Sequence, residues 1–130
     1  MAVEPQSRPR PWVTRDVEPA QVRDLLERPP RAALAVVVDG EIDAIPACAR
    51  LVGGRQFIGV VVGIAWIVPE QEEVVLLIDD GSYWFELRGI TLRGRAVRTV
   101  PPDDVPAGMA WFEFVPRKVL AWDYATLHEE

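Results

Sequence analysis

The sequence predicts a mainly β domain closed into a barrel, with one or two short helices. Three observations carry this expectation. Apolar runs of strand length follow one another with Asp-Gly or Gly-Gly between them, pairs that supply positive φ at two-residue hairpin turns. Between Ile90 and Val97 apolar and mostly polar residues alternate with a period of two, which puts them on opposite faces of a strand. Finally, 130 residues, 49% of them hydrophobic and 26% charged, suffice for one core without disulfides or metals.

The elements follow in order. Met1 to Arg15 is rich in proline and arginine and shows no periodicity, so residues 1–15 are expected to form a flexible arm and residues 16–130 a single domain. Val22, Leu25 and Leu26 have helical spacing. Pro19 suits a first turn and Pro29-Pro30 must stop the helix. Ala33 to Val38, Glu41 to Leu51 and Arg55 to Val62 are then three strands of a meander, turned at Asp39-Gly40 and Gly53-Gly54. The longest apolar run, Phe57 to Val68, reads as buried strand. It holds two glycines and falls well short of the roughly 20 residues that cross a bilayer. Val74 to Ile78 is a further strand, ended by Asp79-Asp80-Gly81. Ser82 to Val100 is a long β segment whose Gly89 and Gly94 suggest a bend or bulge, with a register slip near Ala96 and Val97. Pro101 to Gly108 is a loop, and Trp111 to Trp122 a final strand. Such a series of strands makes a barrel of about seven.

Charge and motif content narrow the function. A net charge of -6 leaves no basic face to neutralise many phosphates, so nucleic acid and anionic membrane are not expected partners. The arm has no apolar signal core, and the single cysteine, Cys48, fits a reducing compartment, so a cytoplasmic location is expected. As a site Cys48 reads best as a small buried hydrophobe. No phosphate-binding glycine motif of the common kinds occurs. With one histidine, His128, and one cysteine, the chain cannot build a usual zinc site or a Ser-His-Asp or Cys-His hydrolase by itself. The acidic groups Glu70, Glu72, Glu73 and Asp79, Asp80 lack the ligand spacing of a calcium loop and read as solvated turns.

Two features remain. Arg88, Arg93, Arg95 and Arg98 crowd one β segment, and Arg93 and Arg95 share a face, as two ligands of one phosphate would. Five tryptophans, Trp12, Trp66, Trp84, Trp111 and Trp122, could cover a planar ring. The plainer reading pairs those arginines with the many carboxylates and puts the tryptophans in a small core, and the pattern alone favours it.

Four stretches carry a resemblance. They are Arg31 to Gly40 with Asp43-Ala44-Ile45-Pro46-Ala47 after it, Glu73 to Gly81, the Arg-Gly-x-x-x-Arg-Gly-Arg-Ala segment within Leu87 to Val97, and Val115 to Tyr124. In this order they resemble the pyridoxamine 5′-phosphate oxidase-like superfamily of flavin-binding split barrels, over roughly Arg31 to Leu127. The resemblance implies a split β-barrel that works as a homodimer and holds FMN, or a deazaflavin, between subunits. The interface would be drawn from the Trp-rich strand ends and the Phe57 to Val68 run. By family position it places Pro46 and Ala47 near the flavin ring, Arg50 and Gly59 in the pocket lining, and Arg88, Arg93 or Arg95 toward phosphate. One departure stands against it: from Phe57 to Gly81 there is no Ser, Thr, Lys or Arg, and the segment turns acidic at Glu70 to Glu73, which would repel a phosphate. The expectation is therefore a flavin- or deazaflavin-dependent oxidoreductase transferring hydride to an unidentified substrate. The alternative is a non-catalytic dimer that has lost the nucleotide and binds a small ligand or serves as a structural partner. A haem-binding relative ranks last, since His128 is a poor axial ligand.

Overall fold

The structure, a computed structural model, describes residues 16–83 and 86–124. The arm with Trp12, and also Trp84 and His128, lie outside the described residues. Among those described, seven strands run along the chain: β1 (Asp16–Val17), β2 (Arg31–Val38), β3 (Glu41–Val52), β4 (Arg55–Val61), β5 (Val74–Asp80), β6 (Arg88–Thr99) and β7 (Met109–Asp123). A 3-10 turn, Pro19–Val22, leads into helix α1 (Arg23–Glu27). This is the short amphipathic helix that Val22, Leu25 and Leu26 predict, with the first two buried and Leu26 packed against the core.

β2, β3 and β4 form the expected meander. Asp39-Gly40 (φ 52° and 79°) and Gly53-Gly54 (φ 59° and 79°) adopt the left-handed conformation that lets a two-residue turn follow the twist of its strands. β5 pairs with the free edge of β2, β6 with β5, and β7 with β6. The first half of β7 also pairs with β4, from Val61↔Met109 to Gln56↔Phe114, and this closes six strands into an antiparallel barrel. β1 adds to the far end of β7 at Trp122 and Ala121. Leu34, Val36, Ile58, Val60, Leu76, Ile78, Ile90, Phe112 and Phe114 meet in the interior, joined by Val22 and Leu25.

The long alternation holds throughout: Ile90, Leu92, Gly94 and Ala96 are buried while Arg93, Arg95 and Val97 are exposed. The slip expected at Ala96 and Val97 is therefore absent there. It lies at Arg93 and Gly94, which face Lys118 and Pro116 and leave Arg117 as the extra residue of a bulge. The extra residue sits on β7, so the alternation of β6 continues past it. Pro116, which has no N–H to give a ladder, is accommodated at this bulge.

Two further expectations change. The buried run Phe57 to Val68 is not one strand: it leaves the sheet after Val61, and Val62–Ile67 is a 3-10 helix. Val62 N–H donates to the Gly108 carbonyl and Val68 N–H to that of Ala65, so these amides are satisfied off the sheet. The long segment from Ser82 also begins as strand only at Arg88. After Gly81 (φ 107°) the chain turns, the Glu86 carboxylate accepting from the Ser82 and Tyr83 amides.

Ion pairs tie distant segments together on the surface: Arg31 with Asp79, Arg55 with Glu113, Arg88 with Asp24 and Asp80, and Arg117 with Glu73. Glu73, Asp79 and Asp80 thus serve as partners of arginines, while the Glu70 carboxylate accepts from the Arg98 amide, and no group that could hold a metal ion occurs among the described residues. Hydrogen bonds from Arg88, Arg117 and Arg55 hold Asp24, Glu73 and Glu113 respectively below their ordinary values of 3.8, 4.5 and 4.5. A carboxyl whose folded pKa is depressed binds its proton more tightly in the unfolded chain. The stabilisation is therefore present above the ordinary value and is lost as pH falls through it toward the depressed value. The urea midpoint is expected to be nearly flat from about pH 6 to 8 and to fall below about 4.5. In the Glu73→Gln/Glu113→Gln variant the acid limb should be shallower, and an unchanged limb would show that these pairs carry none of it.

Candidate functional site

Residues paired across antiparallel strands point to the same side of a sheet. Cys48↔Gly59 and Arg50↔Phe57 therefore share the outer face of the barrel, with Pro46 at the next position of β3 and Trp111 and Glu113 beside them on β7. Phe57 and Trp111 are only 6% and 2% exposed although they lie outside the core cluster. Their cover is local. The Trp111 indole lies over Gly59 so closely that a Cβ there would be 2.7 Å from ring carbon Cζ2. The segment from Pro101 to Met109 walls a hollow over Trp111, and Arg55 sits over the Phe57 ring at 5.1 Å from its centroid.

A cleft of about 490 Å³ opens between this face and the loop, with Phe57 in its floor and Val52, Thr99, Val100, Pro101 and Pro102 around it. The volume lies within the usual range of small-molecule sites. Its charges are mixed. Arg55 is neutralised by Glu113, and Asp103 and Asp104 line the loop side. Arg50, in register with Phe57, differs from them. It is half-buried, and its Nη1 donates to Cys48 Sγ (3.3 Å) and to the Ala49 carbonyl (3.2 Å), with no carboxylate partner among the described residues.

The residues proposed from sequence fall into three groups. Pro46, Arg50 and Gly59 share the face just described, Pro46 exposed and Gly59 buried under Trp111. Ala47, one residue on from Pro46, points inward and packs against the core. Arg88 lies at the start of β6, occupied by Asp24 and Asp80. Arg93 and Arg95 are exposed on the outer side of β6, where Arg95 donates to Gln71 Oε1 and to the Glu70 carbonyl. Arg95 is four residues along β6 from Thr99, the residue in register with Trp111, and hence about 13 Å along the strand from the row of Gly59. Arg50 lies in the row of Phe57, Glu113 and Val97, about 7 Å along β6 from Arg95 but three strand spacings, about 14 Å, round the barrel, so within one chain Arg93 and Arg95 do not converge with it. Phe57, Arg55 and the loop acids were not singled out as site residues from sequence; only the register of β4 with β7 brings them together.

Solved structures resemble the whole barrel. An FAD-binding protein from Mycobacterium smegmatis superposes with a TM-score of 0.65 at 14% identity, covering 84% of this chain and 96% of its own. A FAD-binding protein from Mesorhizobium loti gives 0.65 at 13% identity, over 84% and 95% of the two chains. A candidate pyridoxamine 5′-phosphate oxidase from Corynebacterium glutamicum gives 0.63 at 13%, over 84% and 96%. This chain has the split-barrel fold. At such identities the likeness shows the fold alone. No protein-family model matches the sequence, and no curated protein does either.

The split barrel offers a flavin an uneven fit. Val52, Val100 and the prolines give the cleft an apolar wall, but the Phe57 ring in its floor is already capped by Arg55, and toward a phosphate the outer face presents Arg50 against Asp103 and Asp104. Among the described residues no helix is long and apolar enough to cross a membrane.

Proposed function

We propose that this split barrel is a flavin-nucleotide-binding oxidoreductase that takes FMN, or a deazaflavin, against the outer face of β3 and β4 and acts as a homodimer. The observation that carries the reading is Arg50, a half-buried guanidinium without a carboxylate partner among the described residues, in register with Phe57 of the cleft floor. Arg28, Arg93, Arg95 and Arg98 also have no carboxylate ion pair among the described residues but are exposed, whereas Arg50 is partly desolvated, which favours an anionic ligand. The bound flavin would supply the hydride chemistry. The chain would supply an apolar cleft whose floor, Phe57, opens once Arg55 swings off its ring, a positive charge in Arg50 and a loop, Pro101 to Gly108, that limits water. Val61, Val62 and Trp66 are exposed next to this face and suit contact with a second copy, which would complete the site. The likeness to two proteins named as FAD-binding supports the same reading.

A second reading, a dimer that has lost the nucleotide, is favoured by Trp111. Its indole already covers Gly59, where a ring would otherwise approach the backbone. Visible absorbance titration with FMN and with a deazaflavin, beside size-exclusion chromatography, separates the two. Saturable micromolar binding is expected, weakened at least about tenfold in Arg50→Glu, because a charge-assisted contact is replaced by repulsion. Binding of neither cofactor by the wild-type dimer would select the second reading. Equal binding by Arg50→Glu would remove Arg50 from the site.

A further inference from the structure

A second pocket lies where β7 parts from β4 at the bulge. It is about 320 Å³, lined mainly by apolar side chains, among them Leu26 of α1, Leu51, Leu92, Phe114 and Val119, with the Arg55–Glu113 ion pair at its edge. One polar group interrupts the apolar lining. Gln56 is 5% exposed, and its amide nitrogen donates to the carbonyls of Arg50 (3.1 Å) and Phe57 (3.2 Å). Both N–H bonds are thereby committed, which fixes the orientation of the amide and leaves Oε1 able only to accept. Oε1 is buried and has no hydrogen-bond partner. An unsatisfied buried acceptor is costly, and the few that native proteins keep call for a specific cause.

We infer that this pocket binds a small, mainly apolar, single-ring-system molecule that carries one hydrogen-bond donor, an aromatic N–H or hydroxyl, which donates to Gln56 Oε1. The volume suits a molecule of that size, and the lining suits its carbon face. A second donor would find no acceptor side chain in the apolar wall, and a carboxylate would be desolvated there without a free partner, Arg55 at the edge being already paired with Glu113. Because Oε1 is closed to solvent, the occupant shifts a lining side chain to reach it. The pocket shares Arg55 at its rim with the outer-face cleft, but its apolar wall and Gln56 face the barrel interior and its end, so it does not depend on the flavin reading.

The test uses indole and benzofuran, which have nearly the same shape and differ in the N–H. Both are titrated into the full chain and followed by backbone-amide NMR shifts. Indole is expected to bind about tenfold more tightly than benzofuran and to shift the amides of residues 51, 56, 92 and 114. Gln56→Leu should erase that preference while benzofuran still binds. Leu92→Trp, which fills the pocket, should abolish both. Indole should bind equally to Arg50→Glu, which separates this site from the proposed cofactor site. Equal affinity for the two probes in the wild-type chain, no binding of either, or shifts confined to the outer face would overturn the proposal.

Discussion

Gly94→Ala is expected to destabilise the barrel by about 3 kcal/mol or more, with an unfolding midpoint lower by roughly 10 °C or more. A Cβ at this position would lie 2.1 Å from the Val115 carbonyl oxygen and 2.8 Å from Pro116 Cα. Both are backbone atoms of β7 at the bulge, so no side chain can swing aside. The only relief is to separate β6 from β7, and β7 is the strand that also closes the ring against β4. Whole domains of this kind are stable by only about 5–15 kcal/mol, so the loss is a large share. Gly63→Ala is the control: nothing lies within 4 Å of its Cβ position, and a change within about 0.5 kcal/mol is expected. Thermal and urea unfolding of both variants checks this. Similar midpoints for the two would mean that β6 and β7 can part without cost.

The second large effect is at Trp111. Trp111→Ala should cost about 3–5 kcal/mol, as does emptying the place of a buried aromatic. Gly59→Ala alone should cost about 1–3 kcal/mol, because its Cβ would meet three atoms of the indole at 2.7 to 2.9 Å. Those atoms belong to the six-membered ring of the tryptophan. In a Trp111→Phe background the smaller ring leaves room, and Gly59→Ala should cost less there by about 1 kcal/mol. A double-mutant cycle in urea measures the coupling, and strict additivity would show that residue 59 and the ring do not constrain each other. The same cycle bears on function. A tryptophan that cannot yield at Gly59 keeps any bound ring on the Phe57 side of the face.

How far the sequence could be read depended on distance along the chain. Asp39-Gly40 and Gly53-Gly54 announce hairpins because everything a two-residue turn needs is local. The alternation from Ile90 to Ala96 was legible for the same reason. The 3-10 helix at Val62–Ile67 was not, since an apolar run shows burial but carries no period that separates strand from helix. The surroundings of the candidate residues were the least legible. Arg88 looked like a phosphate ligand beside Arg93 and Arg95, yet Asp24, 64 residues earlier, claims it. Pro46 and Ala47 are neighbours in sequence and were placed together at the ring, but in a strand neighbours face opposite ways. Trp111 comes to lie over Gly59, two residues from Phe57, only through the register of β4 with β7, which no local pattern encodes.

The closing role of β7 also bears on how the chain is made. Synthesis runs from β1 toward β7, so for the time it takes to translate the stretch from Val61 to Phe114 the outer edge of β4 has no strand to pair with. During that interval a nascent chain carries an open edge beside Phe57, Ile58 and Val60, the kind of surface that recruits other unfinished chains. The ring can close only after β7 has been made, and delay in the loop before β7 lengthens the exposure.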